Sequence, residues 1–195
     1  MSTLPKCCVL LAVLALAGCA HQIVITPELR SLQLSGSPID KKVGYYISAA
    51  DMETEVTTAG GGGDKVAYHP YKELEPALQK VLFNLFRDVQ RVNSFNDASL
   101  LKQQGIAYVF VPTIRTESSS SGVFTWMPTH FVVLLSCTAY DDNAQRIWSG
   151  NFSGTGEAEF SELKADFSAA AHKASLAAFR QLEDALSQAP EFRKP

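Results

Sequence analysis

Two segments of the chain repeat their apolar residues with the period of an amphipathic helix. The first is preceded by Glu73, and proline at position 76 suits an early turn, where a missing N–H group does no harm. Its apolar stripe comprises Leu74, Leu78, Val81, Leu82, Leu85, Phe86 and Val89. The second segment is rich in alanine, runs from Leu163 to Leu186 and ends before Pro190. These patterns predict two amphipathic helices.

Another segment, His130–Tyr140, alternates in the manner of a half-buried strand. Its odd-numbered positions form an apolar face, which comprises Phe131, Val133, Leu135, Cys137 and Ala139. A polar turn, Asp141-Asp142-Asn143, then leads to Arg146–Ser153, which we predict as its antiparallel partner strand.

Three more segments favour extended structure. These are Ile23–Ile25, Val43–Ala49 and Tyr108–Thr116, which are rich in β-branched and aromatic residues. Proline lacks the N–H group needed in a sheet, so Pro112 predicts that the third segment lies at a sheet edge or a bulge. Four consecutive glycines, Gly60–Gly63, indicate a mobile loop.

The order of these elements favours an α+β fold. We expect a two-layer sandwich with a mostly antiparallel sheet of about four strands and two amphipathic helices. The prediction places one domain at residues 31–195, after a short tether at residues 19–30.

The first 18 residues have the pattern of a targeting segment. Lys6 supplies a positive start, and the apolar run Cys7–Leu16 is too short to span a membrane, which takes roughly 20 apolar residues. The run ends at Leu16-Ala17-Gly18-Cys19, which resembles the lipobox of bacterial lipoproteins. The resemblance implies cleavage between Gly18 and Cys19 and lipidation of Cys19. The alternative is an ordinary signal peptide with an incidental cysteine.

The residue after the lipobox cysteine bears on localisation. In Gram-negative lipoproteins an aspartate at that position favours retention in the inner membrane, and this chain has Ala20. If the source is Gram-negative, the resemblance therefore implies a protein that is anchored by lipid to the periplasmic face of the outer membrane. In its order of elements, the body resembles small envelope lipoproteins of the LptE and YajG kinds, but no motif of those families can be matched to it residue by residue.

The composition and motifs give little support for enzyme chemistry. The chain has 17 Lys and Arg against 20 Asp and Glu without a basic cluster, which argues against nucleic acid as a partner. Its four histidines lack metal-ligand spacing, so we predict no metal and no cofactor. Cys137 lies on an apolar strand face and is predicted to be a packing residue. No catalytic residue can be assigned.

One aromatic segment is a candidate surface for a protein partner. Phe124, Trp126 and Met127 lie beside Pro128 in a loop or strand entry, where large apolar residues often mark an interface. The alternative is that Trp126 closes one end of the core.

Two classes of function are compatible with these features. The first is a non-catalytic envelope lipoprotein that serves as an adaptor, scaffold or subunit of a cell-envelope complex. The second is a lipid-anchored periplasmic hydrolase whose Ser, His and acidic residues are brought together only by the fold.

Overall fold

The protein is described here by a computed structural model that covers residues 20–33, 36–122 and 125–193. Its strands are β1 (His21–Gln22), β2 (Ile39–Tyr45), β3 (Val56–Ala59), β4 (Lys65–Tyr68), β5 (Phe86–Arg91), β6 (Tyr108–Ser119), β7 (His130–Asp141) and β8 (Arg146–Glu157). The α-helices in these ranges are α1 (Ala49–Glu53), α2 (Pro70–Leu85), α3 (Ala98–Gln103), α4 (Phe160–Leu163) and α5 (Ala169–Gln188). Short 3-10 helices lie at Leu29–Ser31 and Pro190–Arg193.

The strands form two mixed sheets. The large sheet has five strands in the order β5-β2-β6-β7-β8, and the small sheet has three in the order β1-β4-β3. In the large sheet β2 is parallel to both β5 and β6, whereas β6, β7 and β8 form an antiparallel meander. The α+β class is therefore confirmed. The expected single, mostly antiparallel sheet of four strands with two helices is wrong, since five α-helices and two mixed sheets occur in the described part of the chain.

The alternation predicted for His130–Tyr140 matches the structure. Phe131, Val133, Leu135, Cys137 and Ala139 are all buried, because this face of β7 lies against α5. The long helices α2 and α5 also pack on one another, and their apolar stripes complete the core. On the other face of the sheet, α3 covers only a small second cluster around Val109 and Leu101.

The first predicted helix includes residues that form a separate strand in the structure. The helix ends at Leu85, and Phe86–Arg91 turns into β5, which pairs in parallel with β2 at the edge of the large sheet. Phe86 and Val89 fit a helical stripe in the sequence and are buried in β5 as well. Pairing with β2 decides between the two conformations, because the sheet hydrogen bonds come from a distant part of the chain.

The second predicted helix is divided in two. A turn at residues 164–168 separates α4 from α5, and it leaves Phe167 exposed rather than in the apolar stripe. Glu159 and Glu162 form a capping box at the start of α4, which explains why a separate short helix begins there.

Small residues let α5 lie directly on β8. A Cβ atom at Gly154 would overlap the backbone carbonyl of Ala174, and one at Gly156 would overlap that of Ala170. The alanine-rich sequence of α5 allows this close approach. The two glycines lie inside β8 rather than after it.

The prediction that Tyr108–Thr116 lies at a sheet edge is wrong for the first part of that segment. Tyr108, Val109 and Phe110 pair with β2, so β6 is an interior strand there. Pro112 is tolerated because β2 ends before reaching it. The next backbone N–H on that side, at Ile114, donates to the Tyr71 hydroxyl at 3.1 Å instead of to a strand.

The start of the described chain belongs to the folded body. β1 pairs in parallel with β4, and Ile23 N–H donates to the Ala67 carbonyl at 3.1 Å. Ile25 is fully buried, and its N–H donates to a Glu73 carboxylate oxygen at 2.6 Å. The glycine run after β3 is held as well, since Gly61 N–H donates to the Trp126 carbonyl at 2.9 Å. No helix in the described residues is long and apolar enough to cross a membrane.

Candidate functional site

A cleft of about 750 Å³ opens at one end of the large sheet, where β6 ends, β7 begins and β8 runs into α4. Seven of its eleven lining residues carry a hydroxyl or a carboxylate group, and Phe160 is the largest apolar side chain among the others. The lining residues are Ser119, Ser121, Gly122, Thr125, Thr129, His130, Glu157, Ala158, Glu159, Phe160 and Glu162.

Three lining residues form a row across neighbouring strands. Ser119 is the register partner of His130, which is in turn the register partner of Glu157. Register partners on one sheet face have Cβ atoms about 5 Å apart, so a serine, a histidine and a carboxylate are adjacent here. His130 Nδ1 lies 3.8 Å from Glu157 Oε1, which is beyond hydrogen-bond distance. Both side chains are exposed to solvent, so the interaction between them is weak.

The carboxylates of the cleft are partly neutralised by one lysine of α5. Lys173 Nζ donates to Glu162 Oε1 at 2.6 Å and to the Glu157 carbonyl at 2.9 Å. The hydrogen bond from Lys173 lowers the pKa of Glu162 below its ordinary value, and a backbone hydrogen bond acts in the same direction. Glu157 and Glu159 keep an acidic rim around the cleft, so the site favours neutral or cationic ligand groups over anions.

Trp126 lies beside the cleft and next to the start of the described chain. Its ring stacks on His21, with centroids 4.2 Å apart, and meets the edge of Phe167 at 5.5 Å. The ring is half-buried, whereas the neighbouring Met127 is almost fully buried. The remaining member of the predicted partner surface, Phe124, lies outside the described residues, as do Gly18 and Cys19 of the lipobox.

Cys137 lies in the hydrophobic core. Its side chain is fully buried, and burial raises the pKa of the thiol to about 12. A thiol that stays protonated is a poor nucleophile, so the structure agrees with the predicted packing role.

The histidines are dispersed over the fold. Each lies within 4 Å of a different carboxylate; the pairs are His21–Asp64, His69–Glu55, His130–Glu157 and His172–Asp166. Across the described ranges no three His, Cys, Asp or Glu side chains converge as metal ligands would.

Two features of this site could not be found from sequence motifs. The Ser119–His130–Glu157 row depends on the register of the meander, and the His21–Trp126 stack depends on the parallel pairing of β1 with β4. One signal was present in the sequence. Counting residues outward from the predicted hairpin turn at Asp141–Asn143 pairs His130 approximately with Glu157.

Comparisons with known proteins give fold similarities at low sequence identity. No family model matches the chain, and no curated protein is similar to it in sequence. The structure is similar to that of the PelC dodecamer from Paraburkholderia phytofirmans (TM-score 0.44, 15% identity, covering 80% of this chain and 95% of that chain). It is also similar to a "putative lipoprotein" from Caulobacter crescentus (TM-score 0.37, 17% identity, covering 71% of this chain and 90% of that chain).

Proposed function

We propose that this chain is a lipid-anchored envelope lipoprotein that acts without catalysis, as an adaptor, scaffold or subunit of a cell-envelope complex. The observation that carries the proposal is the position of β1. It begins at His21, two residues after the lipobox cysteine, and is hydrogen-bonded into the body. A lipid on Cys19 would therefore hold the folded body directly against a membrane, without a flexible spacer. Ala20 supports sorting to the periplasmic face of the outer membrane.

The open face of the large sheet supports an adaptor role. Opposite the α5 side, the meander β6-β7-β8 presents Leu134, which is 39% exposed, with Val132 half-buried on the same face. Polar side chains of β8 surround them, among them Ser149 and Asn151. A surface of this kind, with a small apolar centre and a polar rim, suits a protein partner.

Lipidation is tested by labelling cells with a radioactive or clickable fatty acid. The full chain should incorporate the label and sediment with membranes. Cys19→Ala should lose the label and the membrane association, whereas the matched control Cys137→Ala should keep both. Label in the Cys19→Ala protein, or its detergent-sensitive sedimentation with membranes, would contradict the lipid anchor.

The adaptor role is tested by site-specific crosslinking in intact envelopes. A photoreactive amino acid at Leu134 should capture one discrete envelope protein, and the same group at Arg87, an exposed residue of the edge strand β5, should not. Equal capture from both positions, or from neither, would count against a specific partner on this face.

The Ser119–His130–Glu157 row favours a hydrolase as the second candidate. A nucleophilic serine needs a base within hydrogen-bond reach, and Ser119 has no hydrogen bond to His130 in the part of the chain that the structure describes. A fluorophosphonate probe distinguishes the two functions. The adaptor proposal predicts no labelling. Labelling that is lost in Ser119→Ala and His130→Ala but kept in Ser136→Ala would instead establish the hydrolase.

A further inference from the structure

Large apolar side chains are exposed at the end of the molecule where the described chain begins. Val24, Phe160 and Phe167 are 56%, 54% and 54% exposed. The N–H of Val24 donates to Ser168 Oγ at 3.2 Å, which places Val24 beside Phe167. Phe160 lines the cleft together with Thr125, the neighbour of Trp126. We call this group, Val24, Phe160, Phe167 and the outer edge of Trp126, the N-terminal apolar surface.

The length of chain before β1 limits how far this surface lies from the anchor. Only Ala20 lies between Cys19 and His21, and a fully extended chain spans at most about 3.6 Å per residue. Two such steps of chain reach at most about 7 Å from the Cα atom of His21. His21 itself stacks on Trp126. An acyl group on Cys19 would thus be tethered close to the N-terminal apolar surface.

The side chains have the chemistry of a membrane interface. Tryptophan is favoured at the boundary of hydrocarbon and water because its ring is apolar and its N–H is polar. Lys164 Nζ lies 4.8 Å from the centroid of the Phe160 ring, so a cation accompanies an apolar group that would enter the bilayer. An ammonium in this position can reach lipid phosphate while the ring below it is buried.

We propose that the N-terminal apolar surface inserts into the interfacial region of a lipid bilayer beside the acyl chains of Cys19. The proposal rests on the lipid anchor proposed above and extends it. The lipid ties the chain to the membrane, and the N-terminal apolar surface fixes the orientation of the body on it. The five strands of the large sheet then extend away from the bilayer, and the β7–β8 turn lies at the far end.

The charged side chains near the N-terminal apolar surface determine which lipid headgroups fit it. Glu157, Glu159 and Asp166 are acidic groups at this end and outnumber Lys164, while Lys173 is already paired with Glu162. Anionic headgroups would be repelled by this rim. The surface therefore fits zwitterionic headgroups better than anionic ones.

The two tryptophans of the chain provide an internal test. Trp148 is the register partner of Ala139, nine residues along β8 from the Glu157–His130 pair. At about 3.3 Å per residue, it lies roughly 30 Å from the end that we assign to the membrane. Trp148→Phe leaves Trp126 as the only tryptophan, and Trp126→Phe leaves Trp148.

The experiment uses the full-length lipidated protein in zwitterionic phosphatidylcholine vesicles whose acyl chains carry bromine, a short-range quencher of tryptophan fluorescence. In the Trp148→Phe protein, emission from Trp126 should fall by roughly twofold compared with unbrominated vesicles. In the Trp126→Phe protein, emission from Trp148 should not change. Anionic phosphatidylglycerol in the vesicles should reduce the quenching of Trp126.

A second set of variants tests the neighbouring side chains. Phe160→Ser with Phe167→Ser, in the Trp148→Phe background, should weaken the quenching of Trp126. Phe83→Ser is the matched control, because Phe83 is 52% exposed on α2 and lies outside the N-terminal apolar surface. Circular dichroism verifies that each variant is folded.

The outcomes separate this inference from the lipid anchor. A protein that carries no acyl group and does not float with vesicles contradicts the anchor. A lipidated protein that floats with vesicles while Trp126 is unquenched overturns the inference, and it would leave this surface free for a protein partner. Equal quenching of Trp126 and Trp148 would also overturn it, because the body would then have no fixed orientation.

Discussion

The imidazole ring of His21 lies nearly flat against the indole ring of Trp126, with centroids 4.2 Å apart and ring planes 21° from parallel. This contact joins β1 to the loop between β6 and β7, two segments that are far apart in the sequence. His21 Nε2 also lies 3.8 Å from Asp64 Oδ2, in the loop before β4. Three segments therefore meet where the described chain begins.

The first prediction concerns the energy of this stack. Trp126→Ala should lower the free energy of unfolding by roughly 1–3 kcal/mol, less than the 3–5 kcal/mol typical of a fully buried tryptophan, because the ring is only half-buried. His21→Ala and Trp126→Ala should couple by about 0.5–1.5 kcal/mol in a double-mutant cycle measured by urea unfolding. His21→Ala and Trp148→Phe, which are far apart, should be additive. Additivity in the first pair would show that the stack contributes nothing.

The second prediction concerns Cys137. The folded state raises the pKa of its thiol from 9.0 to about 12, so folding favours the protonated form. The stability that this raised pKa contributes is fully present below pH 9. It is lost between pH 9 and 12, at up to about 1.4 kcal/mol per pH unit. Between these limits, Cys137→Ala should lose less stability with rising pH than the unmodified protein does. Urea unfolding at pH 8, below the window in which the stability is lost, and at about pH 10.5, in the middle of that window, measures the difference.

A control for this prediction is needed because burial also raises the pKa of Tyr45 and Tyr68, so the whole protein loses stability in alkali. Those tyrosines are present in both proteins, and only the difference between the two slopes reports on Cys137. Parallel slopes would contradict the buried thiol, as would rapid alkylation of the native protein.

The third prediction concerns the contact between α5 and β8. Gly154→Ala and Gly156→Ala should each lower the free energy of unfolding by about 1–3 kcal/mol or more, because the new methyl group must displace the helix backbone. Thr155→Ala, between them on the exposed face, should change it by less than about 0.5 kcal/mol. If both glycine variants were as stable as Thr155→Ala, the close packing of α5 on β8 would be incorrect.

The fourth prediction concerns the backbone group left without a strand partner beyond Pro112. Tyr71→Phe removes the hydroxyl that accepts the Ile114 N–H group and should cost roughly 1–3 kcal/mol. Tyr46→Phe serves as the control, since Tyr46 packs against Phe95 and its hydroxyl has no hydrogen-bond partner in the part of the chain that the structure covers. Thermal unfolding of the two variants side by side measures the contribution of the hydroxyl. Equal melting temperatures would contradict this role.

The sequence was most informative where local pattern and tertiary packing agree. The alternation of β7 predicted five buried residues correctly, because a strand with one covered face must alternate. The apolar stripe of α2 likewise predicted the buried residues correctly up to Leu85. Beyond that point Phe86 and Val89 satisfy both a helix and a strand, and only their pairing with β2 selects the strand.

The two mixed sheets could not be predicted from the sequence for a similar reason. β1, β3 and β4 are two to four residues long, too short for a periodicity to be recognised. The parallel pairs of β2 with β5 and β6 join distant segments and leave no turn motif in the sequence. Pro112 predicted a sheet edge or a bulge, whereas β6 is an interior strand whose pairing with β2 ends before the proline.

The pairing of β1 with β4 also determines how the body would carry a mechanical load. Tension from a membrane-held Cys19 would enter at His21 and pull along β1. The bonds that resist it are the β1–β4 pairing, the Ile23 N–H bond to Ala67, and the contacts of Ile25 and Thr26 with Glu73. Because the strand is pulled lengthwise, these bonds are loaded in shear and must break together rather than one after another. The first residues of the body would thus act as a clamp between membrane and fold.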